Sequence, residues 1–219
     1  MKLNTVIFDM DGLLIDSEPL WNEAADEVFK DYGFGITAAQ HATTTGMRTR
    51  EFIDWWFDYF NILSEHAPRA EEDIVQRAIE KISLKGKPKQ GVAHIFNFFI
   101  ERNFKIGLAS SSPMRLIEVV VDRLGIRKHL HAMTSAAELP YGKPHPMVYL
   151  NCAMELTSNP LECVCFEDSF PGMIAAKAAR MKCVVVPAHY ESQHIKFNAA
   201  DLKLSSLQNF NELLLQTLG

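Results

Sequence analysis

Residues 3–12 read LNTVIFDMDG, a short apolar run from Leu3 to Phe8 that ends on two carboxylates one residue apart and then a glycine. Val, Ile, Phe and Thr closed by an acidic turn make a strand, and unbroken apolarity suits a strand covered on both faces. The pattern returns after position 90, in Phe104 to Ala109, His131 to Ser135, Cys163 to Phe166 and Cys183 to Pro187. Helix-period segments near 91–102, 113–124, 144–156, 171–180 and 206–217 lie between and after these runs. Strands alternating with helices predict parallel βαβ units, hence an α/β protein with a Rossmann-like parallel sheet core and helices on both faces.

Residues 17–84 break that rhythm, with no convincing strand and helical patterns at 17–32, 48–60 and 69–83. Gly33-Phe34-Gly35 and Ser64 to Pro68 separate these patterns, and Lys85 to Gly91 reads as a polar hinge. The expected organisation is therefore a core of residues 1–16 and 85–219, interrupted after its first strand by an all-helical insert over 17–84. Trp55, Trp56, Phe57, Tyr59 and Phe60 read as the packed face of that insert.

Composition narrows the function. A net charge of −5 over 219 residues argues against a general nucleic-acid or membrane-surface binder, which needs a basic face. The apolar runs fall far short of the roughly 20 residues that span a bilayer. No secretory leader is legible, and Cys152, Cys163, Cys165 and Cys183 lack Cys-x-x-Cys spacing, so buried free thiols in a cytoplasmic protein are expected.

In open parallel sheets ligands bind outside the carboxyl ends of the strands, so the residues just past each strand matter most. After the first come Asp9, Met10, Asp11 and Gly12; after the second, Ser110, Ser111 and Ser112; before the helix near 144, Gly142-Lys143-Pro144; and after the run 163–166, Glu167, Asp168 and Ser169. Each piece alone has an ordinary reading. The serines can cap a helix, Lys143 can be a surface lysine, and Asp-x-Asp-Gly can be a turn. An EF-hand loop is excluded, because the glycine comes two residues early and a strand precedes it. Jointly the pieces converge carboxylates, one lysine and hydroxyls on one rim, which suits phosphoryl transfer. Clustered carboxylates call for a divalent cation, and an all-oxygen site matches Mg²⁺. Asp9 is then the nucleophile, Asp11 the acid/base, and Lys143 with Ser110 and Ser111 neutralise the transferring phosphoryl.

At these residues the sequence resembles the haloacid dehalogenase superfamily of aspartate-nucleophile phosphatases. The motifs are DMDGLLIDSEPLW at 9–21, GLASSSP at 107–113, GKPHP at 142–146 and FEDSFPGM at 166–173. LPYGKPHPMVYL and ARMKCVVVP extend the likeness toward bacterial sugar phosphatases of the 2-deoxyglucose-6-phosphatase or hexitol-phosphatase type. The resemblance implies that the helical insert is a cap domain. It also implies that Asp9, Asp11 (through its backbone carbonyl) and Asp168 hold Mg²⁺, that Ser110 and Lys143 bind phosphate, and that Gly12, Glu167 and Ser169 support them. In relatives the Lys-Pro bond of the third motif is sometimes cis, and a cis Lys143–Pro144 is expected.

Substrate choice is expected in the cap, with Glu18, Trp21, Gly46, Met47 and Arg48 as candidates and Arg48 or Glu18 contacting sugar hydroxyls or a distal charge. The expected partner is a small phosphorylated metabolite, a hexose or hexitol phosphate, handled by a monomer or weak dimer. Two alternatives stay open. One is a β-phosphoglucomutase-like mutase, which carries a histidine where Trp21 stands. The other is a non-catalytic phospho-ligand binder.

Overall fold

The computed structural model describes residues 2–189 and 192–219; Met1, where the expected core begins, lies outside them. Strand β1 (Thr5–Phe8) is fully buried. It pairs in parallel with β2 (Lys105–Ser110) on one side and β4 (Cys163–Glu167) on the other, Phe8 lying level with Leu108 and Phe166. With β3 (Ala132–Ser135), β5 (Lys182–Val185) and β6 (Leu202–Lys203), the six-stranded parallel sheet runs β3-β2-β1-β4-β5-β6. Strand order reverses between β1 and β4, the switch point where parallel sheets leave a crevice.

The period-two geometry of β1 and β4 divides the core. Val6, Phe8, Val164 and Phe166 face one side, while Ile7, Cys163 and Cys165 face the other. Helices α5 (Val92–Ile100) and α6 (Met114–Leu124) pack on the first face. There Phe8 stacks on Phe96 at 5.1 Å and Phe166 meets Phe210 edge-on at 5.0 Å. Helices α7 (Met147–Glu155) and α8 (Phe170–Ala178) cover the second face. All four cysteines are free and buried, and burial pushes the Cys152 and Cys163 thiols up to about 12.

Between β1 and α5 lie α1 (Glu18–Asp31), α2 (Ala38–Thr43), α3 (Thr49–Tyr59) and α4 (Ala67–Lys85). Their shared interior is aromatic, with Phe29 stacked on Phe34 at 4.5 Å and on Phe52 at 5.5 Å. The two passages joining this segment to the sheet run side by side, Asp16 N–H donating to Lys87 O and Lys89 N–H to Leu14 O, both at 2.9 Å. The expected Lys143–Pro144 cis bond is present. No helix among the described residues is long and apolar enough to cross a membrane.

Four local readings differ from the structure. Helix α2 was not expected. It starts on a Thr37–Gln40 capping box, whose reciprocal bonds stabilise six residues that lack a full amphipathic repeat. Strand β6, at two residues, is too short to show a period. The helix expected over 206–217 is split: Phe210 is buried and extended, and Asn211 caps a fresh start for α9 (Glu212–Leu218). Trp55 and Tyr59 are 57% and 64% exposed, because the helical period turns Ile53, Trp56 and Phe57 inward, with Phe52 beside them, and leaves these two on the outer face.

Candidate active site

Asp9 is the first residue beyond β1, anchored by its own N–H donating to Phe166 O at 2.9 Å. Its carboxylate is nearly buried and accepts from Lys143 Nζ at 2.5 Å on Oδ1. Lys143 also donates to Glu167 Oε1 at 2.6 Å and to Ala109 O at 3.2 Å, so one ammonium ties together the ends of β1, β2 and β4. Glu167 is wholly buried and fully engaged. Tyr149 Oη donates to its Oε1 at 2.5 Å, and its Oε2 accepts from Ser169 Oγ at 3.1 Å and from the N–H groups of Asp168 and Ser169. Gly172 leaves room for this tuck, since a Cβ there would lie 1.9 Å from Glu167 Oε1.

Three buried carboxylates against one lysine leave a charge imbalance. Asp9, Glu167 and Asp168 can bring donor oxygens within 4.8 Å of one another. Burial raises the Asp9 carboxyl to about 8, against the lowering pull of Lys143. Burial, helped by the charges of Asp9, Glu167 and Glu18, holds Asp168 well above the carboxylate range. Burial by itself would lower the Lys143 ammonium, but Asp9 and Glu167 outweigh it and hold it above the ordinary lysine value. A hard divalent cation would relieve this repulsion. With Glu167 spent on Lys143 and Tyr149, Asp9 and Asp168 are the side chains left for it.

Asp11 occupies different surroundings. Ser17 Oγ and Trp21 Nε1 donate to its Oδ1 at 2.6 and 3.1 Å, while Ser112 Oγ and Ser110 Oγ donate to its Oδ2 at 2.7 and 3.4 Å. Trp21 therefore reaches the site as the donor that orients Asp11 as well as lining the cavity. Ser17, Ser112 and Tyr149 were not among the expected site residues. Ser112 was visible as the third of a serine run, whereas nothing in the order of residues tells which carboxylate Ser17 or Tyr149 meets.

Gly12 sits at φ +76°, and a Cβ there would lie 1.9 Å from Asp168 Oδ2. The close approach of the β1 and β4 ends needs a residue without a side chain. Gly12→Ala is expected to cost about 1–2 kcal/mol for the left-handed backbone alone. By displacing Asp168 it is expected to lower kcat/KM about 10²-fold. Melting curves and steady-state kinetics check the two effects separately.

These groups open into a cavity of about 130 Å³ whose far wall comes from the helical insert. Glu18, Trp21, Gly46 and Met47 line it together with Asp9, Asp11, Ser110, Ser111, Lys143, Asp168 and Ser169. Gly46, at φ +86°, brings the insert down onto the core: Ser111 Oγ donates to Gly46 O at 3.1 Å, and a Gly46 Cβ would meet Ser169 Oγ at 3.0 Å.

Arg48 departs from expectation. It does not line this cavity. Its Nη1 donates to Leu139 O at 2.5 Å and Ala136 O at 3.4 Å, and its Nη2 pairs with Glu51 Oε1 at 2.5 Å. Its side chain lies over Gly142, whose missing Cβ would stand 2.7 Å from Arg48 Nε. The fork geometry of guanidinium suits bridging two carbonyls and a carboxylate, so here Arg48 braces the insert against the loop after β3. His145 lies with Arg48 in a separate open groove, its ring 4.7 Å from that of Tyr141.

A carboxylate at the first strand end of a parallel sheet, a lysine bridging it to an acidic fourth-strand end, and a helical insert over both define a class of hydrolase. The sequence model of the haloacid dehalogenase-like hydrolases matches residues 3–180, and the chain belongs to that family. It is 42% identical to hexitol phosphatase B of Escherichia coli (strain K12) over 94% of this chain and 93% of that one. It is 32% identical to a phosphorylated carbohydrates phosphatase of Thermotoga maritima, covering 85% and 86% of the two. A β-phosphoglucomutase structure from Clostridium difficile superposes at TM-score 0.87 over 99% of this chain and 96% of that one, at 24% identity, which extends to fold alone. The chain is a phosphoric monoester hydrolase.

Proposed function

We propose that the chain is a Mg²⁺-dependent sugar phosphatase acting on a hexose or hexitol phosphate through an aspartyl-phosphate on Asp9. The observation that carries this reading is the meeting of Asp9, Asp11, Ser110, Lys143 and Asp168 at one cavity under the helical cap. The relatives named for hexitol and carbohydrate phosphates support the substrate class.

With Oδ1 of Asp9 bonded to Lys143, Oδ2 is the oxygen left to attack phosphorus. Lys143 and the Ser110 hydroxyl neutralise charge on the transferring phosphoryl. Asp9, Asp168 and the backbone carbonyl of Asp11 would hold Mg²⁺, which when bound screens the carboxylates and draws charge from the phosphoryl oxygens. Asp11 gives a proton to the leaving oxygen and takes one back from water. Its two oxygens are unequal in this work. An indole N–H only donates, so Oδ1 beside Trp21 stays an acceptor, whereas a hydroxyl can turn to accept. Oδ2 faces two hydroxyls, Ser112 and Ser110, which can turn as Asp11 exchanges its proton.

Against the mutase alternative, whose named structures share this fold, stands Arg48: its guanidinium is spent on backbone carbonyls and Glu51 and does not line the cavity. The test is turnover of p-nitrophenyl phosphate and a sugar-phosphate panel with Mg²⁺ and with EDTA. Hydrolysis only with Mg²⁺ is expected, and no turnover of any ester would sink the reading. Saturating Mg²⁺ at about 100 times its Kd should also stabilise the fold by about 2.7 kcal/mol. That is roughly 5–10 °C in a melting curve for a chain of this size.

A further inference from the structure

The insert supplies one pair that the chemistry above does not use, a buried histidine backed by a partly exposed carboxylate. His41, on α2, is 8% exposed and lines the cavity. Its Nε2 lies 3.0 Å from Asp26 Oδ1 on α1, and its ring stacks near-parallel on Phe52 at 6.1 Å. Asp26 Oδ1, a carboxylate oxygen, accepts from Nε2–H, which leaves Nδ1 as the nitrogen available to a ligand. The ring and its carboxylate together carry no net positive charge, so the pair suits a hydroxyl rather than a phosphate. Asn22, Thr44 and Thr45 add neutral polar groups to the same wall, and Phe52 and Ile74 give it an apolar floor.

The charges agree. Among the described residues lining the cavity, Lys143 is the one lysine or arginine, and it is bonded to Asp9 and Glu167. Glu18, accepting from Thr45 Oγ1 at 3.2 Å, places a carboxylate on the cap side. A second phosphate at the far end would face Glu18 and the carboxylate-backed imidazole with no cation to meet it, which is unfavourable in a partly desolvated site.

Resting on the phosphatase reading above, we propose that His41, held by Asp26, reads a hydroxyl of the substrate's carbon chain, so that the cavity selects a single phosphate ester on an uncharged polyhydroxylated tail. His41 is a specificity-determining residue in this scheme. Losing one hydrogen bond to a desolvated hydroxyl costs about tenfold in discrimination.

The experiment measures kcat/KM for a hexitol 6-phosphate, a hexose 1,6-bisphosphate and p-nitrophenyl phosphate, which has no hydroxyl tail. The Mg²⁺-loaded wild type is compared with His41→Phe, His41→Asn and Asp26→Asn. The wild type should prefer the hexitol phosphate to the bisphosphate by about tenfold or more. In His41→Phe the ratio of hexitol phosphate to p-nitrophenyl phosphate should fall about tenfold. His41→Asn, which keeps a hydrogen-bonding group, should recover part of that ratio, and Asp26→Asn should shift it in the same direction as His41→Phe. An unchanged ratio in His41→Phe and Asp26→Asn, or an equal fall on both substrates, would overturn the assignment, as would equal use of mono- and bisphosphate. A wild type active on p-nitrophenyl phosphate but indifferent to the tail rejects this proposal alone. A wild type inactive on every ester rejects the underlying function as well.

Discussion

Asp9→Asn is expected to lower kcat by about 10⁴-fold or more, as loss of a covalent nucleophile does, without a loss of stability. An amide oxygen can still accept from Lys143, whose ammonium keeps its full ion pair with Glu167 at 2.6 Å. What disappears is one member of a crowded set of buried carboxylates. The pH dependence gives the expectation a sign. Burial raises the Asp9 carboxyl from 3.8 to about 8, so the metal-free folded state holds a proton that the unfolded chain has released. Stability from this group is fully present below about pH 4 and is lost as pH rises through about 8. Metal-free Asp9→Asn should escape that loss, and its melting temperature should match or exceed that of the wild type at neutral pH. A folded but active Asp9→Asn would refute the proposed chemistry.

Lys143→Met should be equally inactive and behave oppositely in stability. The side chain is 2% exposed and its ammonium is the cation shared by Asp9 and Glu167. Removing one partner of a buried ion pair costs about 3–5 kcal/mol, because the remaining charges stay buried without compensation. For a chain of this size that is roughly 6–20 °C in melting temperature. The wholly buried Glu167 then keeps neutral donors such as Tyr149 and Ser169 but no cation, so most of the cost falls on it. Mg²⁺ should restore part of the melting temperature and none of the turnover. Calorimetry of the two variants side by side separates a group that reacts from one that also holds the site together.

The parts legible from the order of residues are those whose cause is local. β1 and its Asp9-x-Asp11-Gly12 ending, the helical insert, and the lysine and acidic pair at later strand ends come from period, length and punctuation. Parallel topology then brings the ends of β1, β2 and β4 together. Contacts decided by tertiary approach were not legible. Trp21 was expected against substrate, but its indole also bonds Asp11, because α1 returns over the strand end. Arg48 was expected in the cavity, but carbonyls exposed after β3 compete for its guanidinium. The His41–Asp26 pair joins two helices of the insert, one of them too short to show a period.

The helical segment hangs from the sheet by a narrow neck, where residues 14–16 and 87–89 cross within hydrogen-bond distance. The points of departure and return are therefore already adjacent, and a tight reverse turn of a few residues can bridge them without altering strand order. Such an excision would keep Asp9, Lys143, Glu167 and Asp168 on their strand ends and remove Trp21, Glu18 and His41. The same two points accept a foreign helical module in its place. Transplanting that module between relatives is thus a route to exchange selectivity while Asp9, Lys143, Glu167 and Asp168 stay in place, provided the incoming module resupplies the donors that Ser17 and Trp21 give to Asp11.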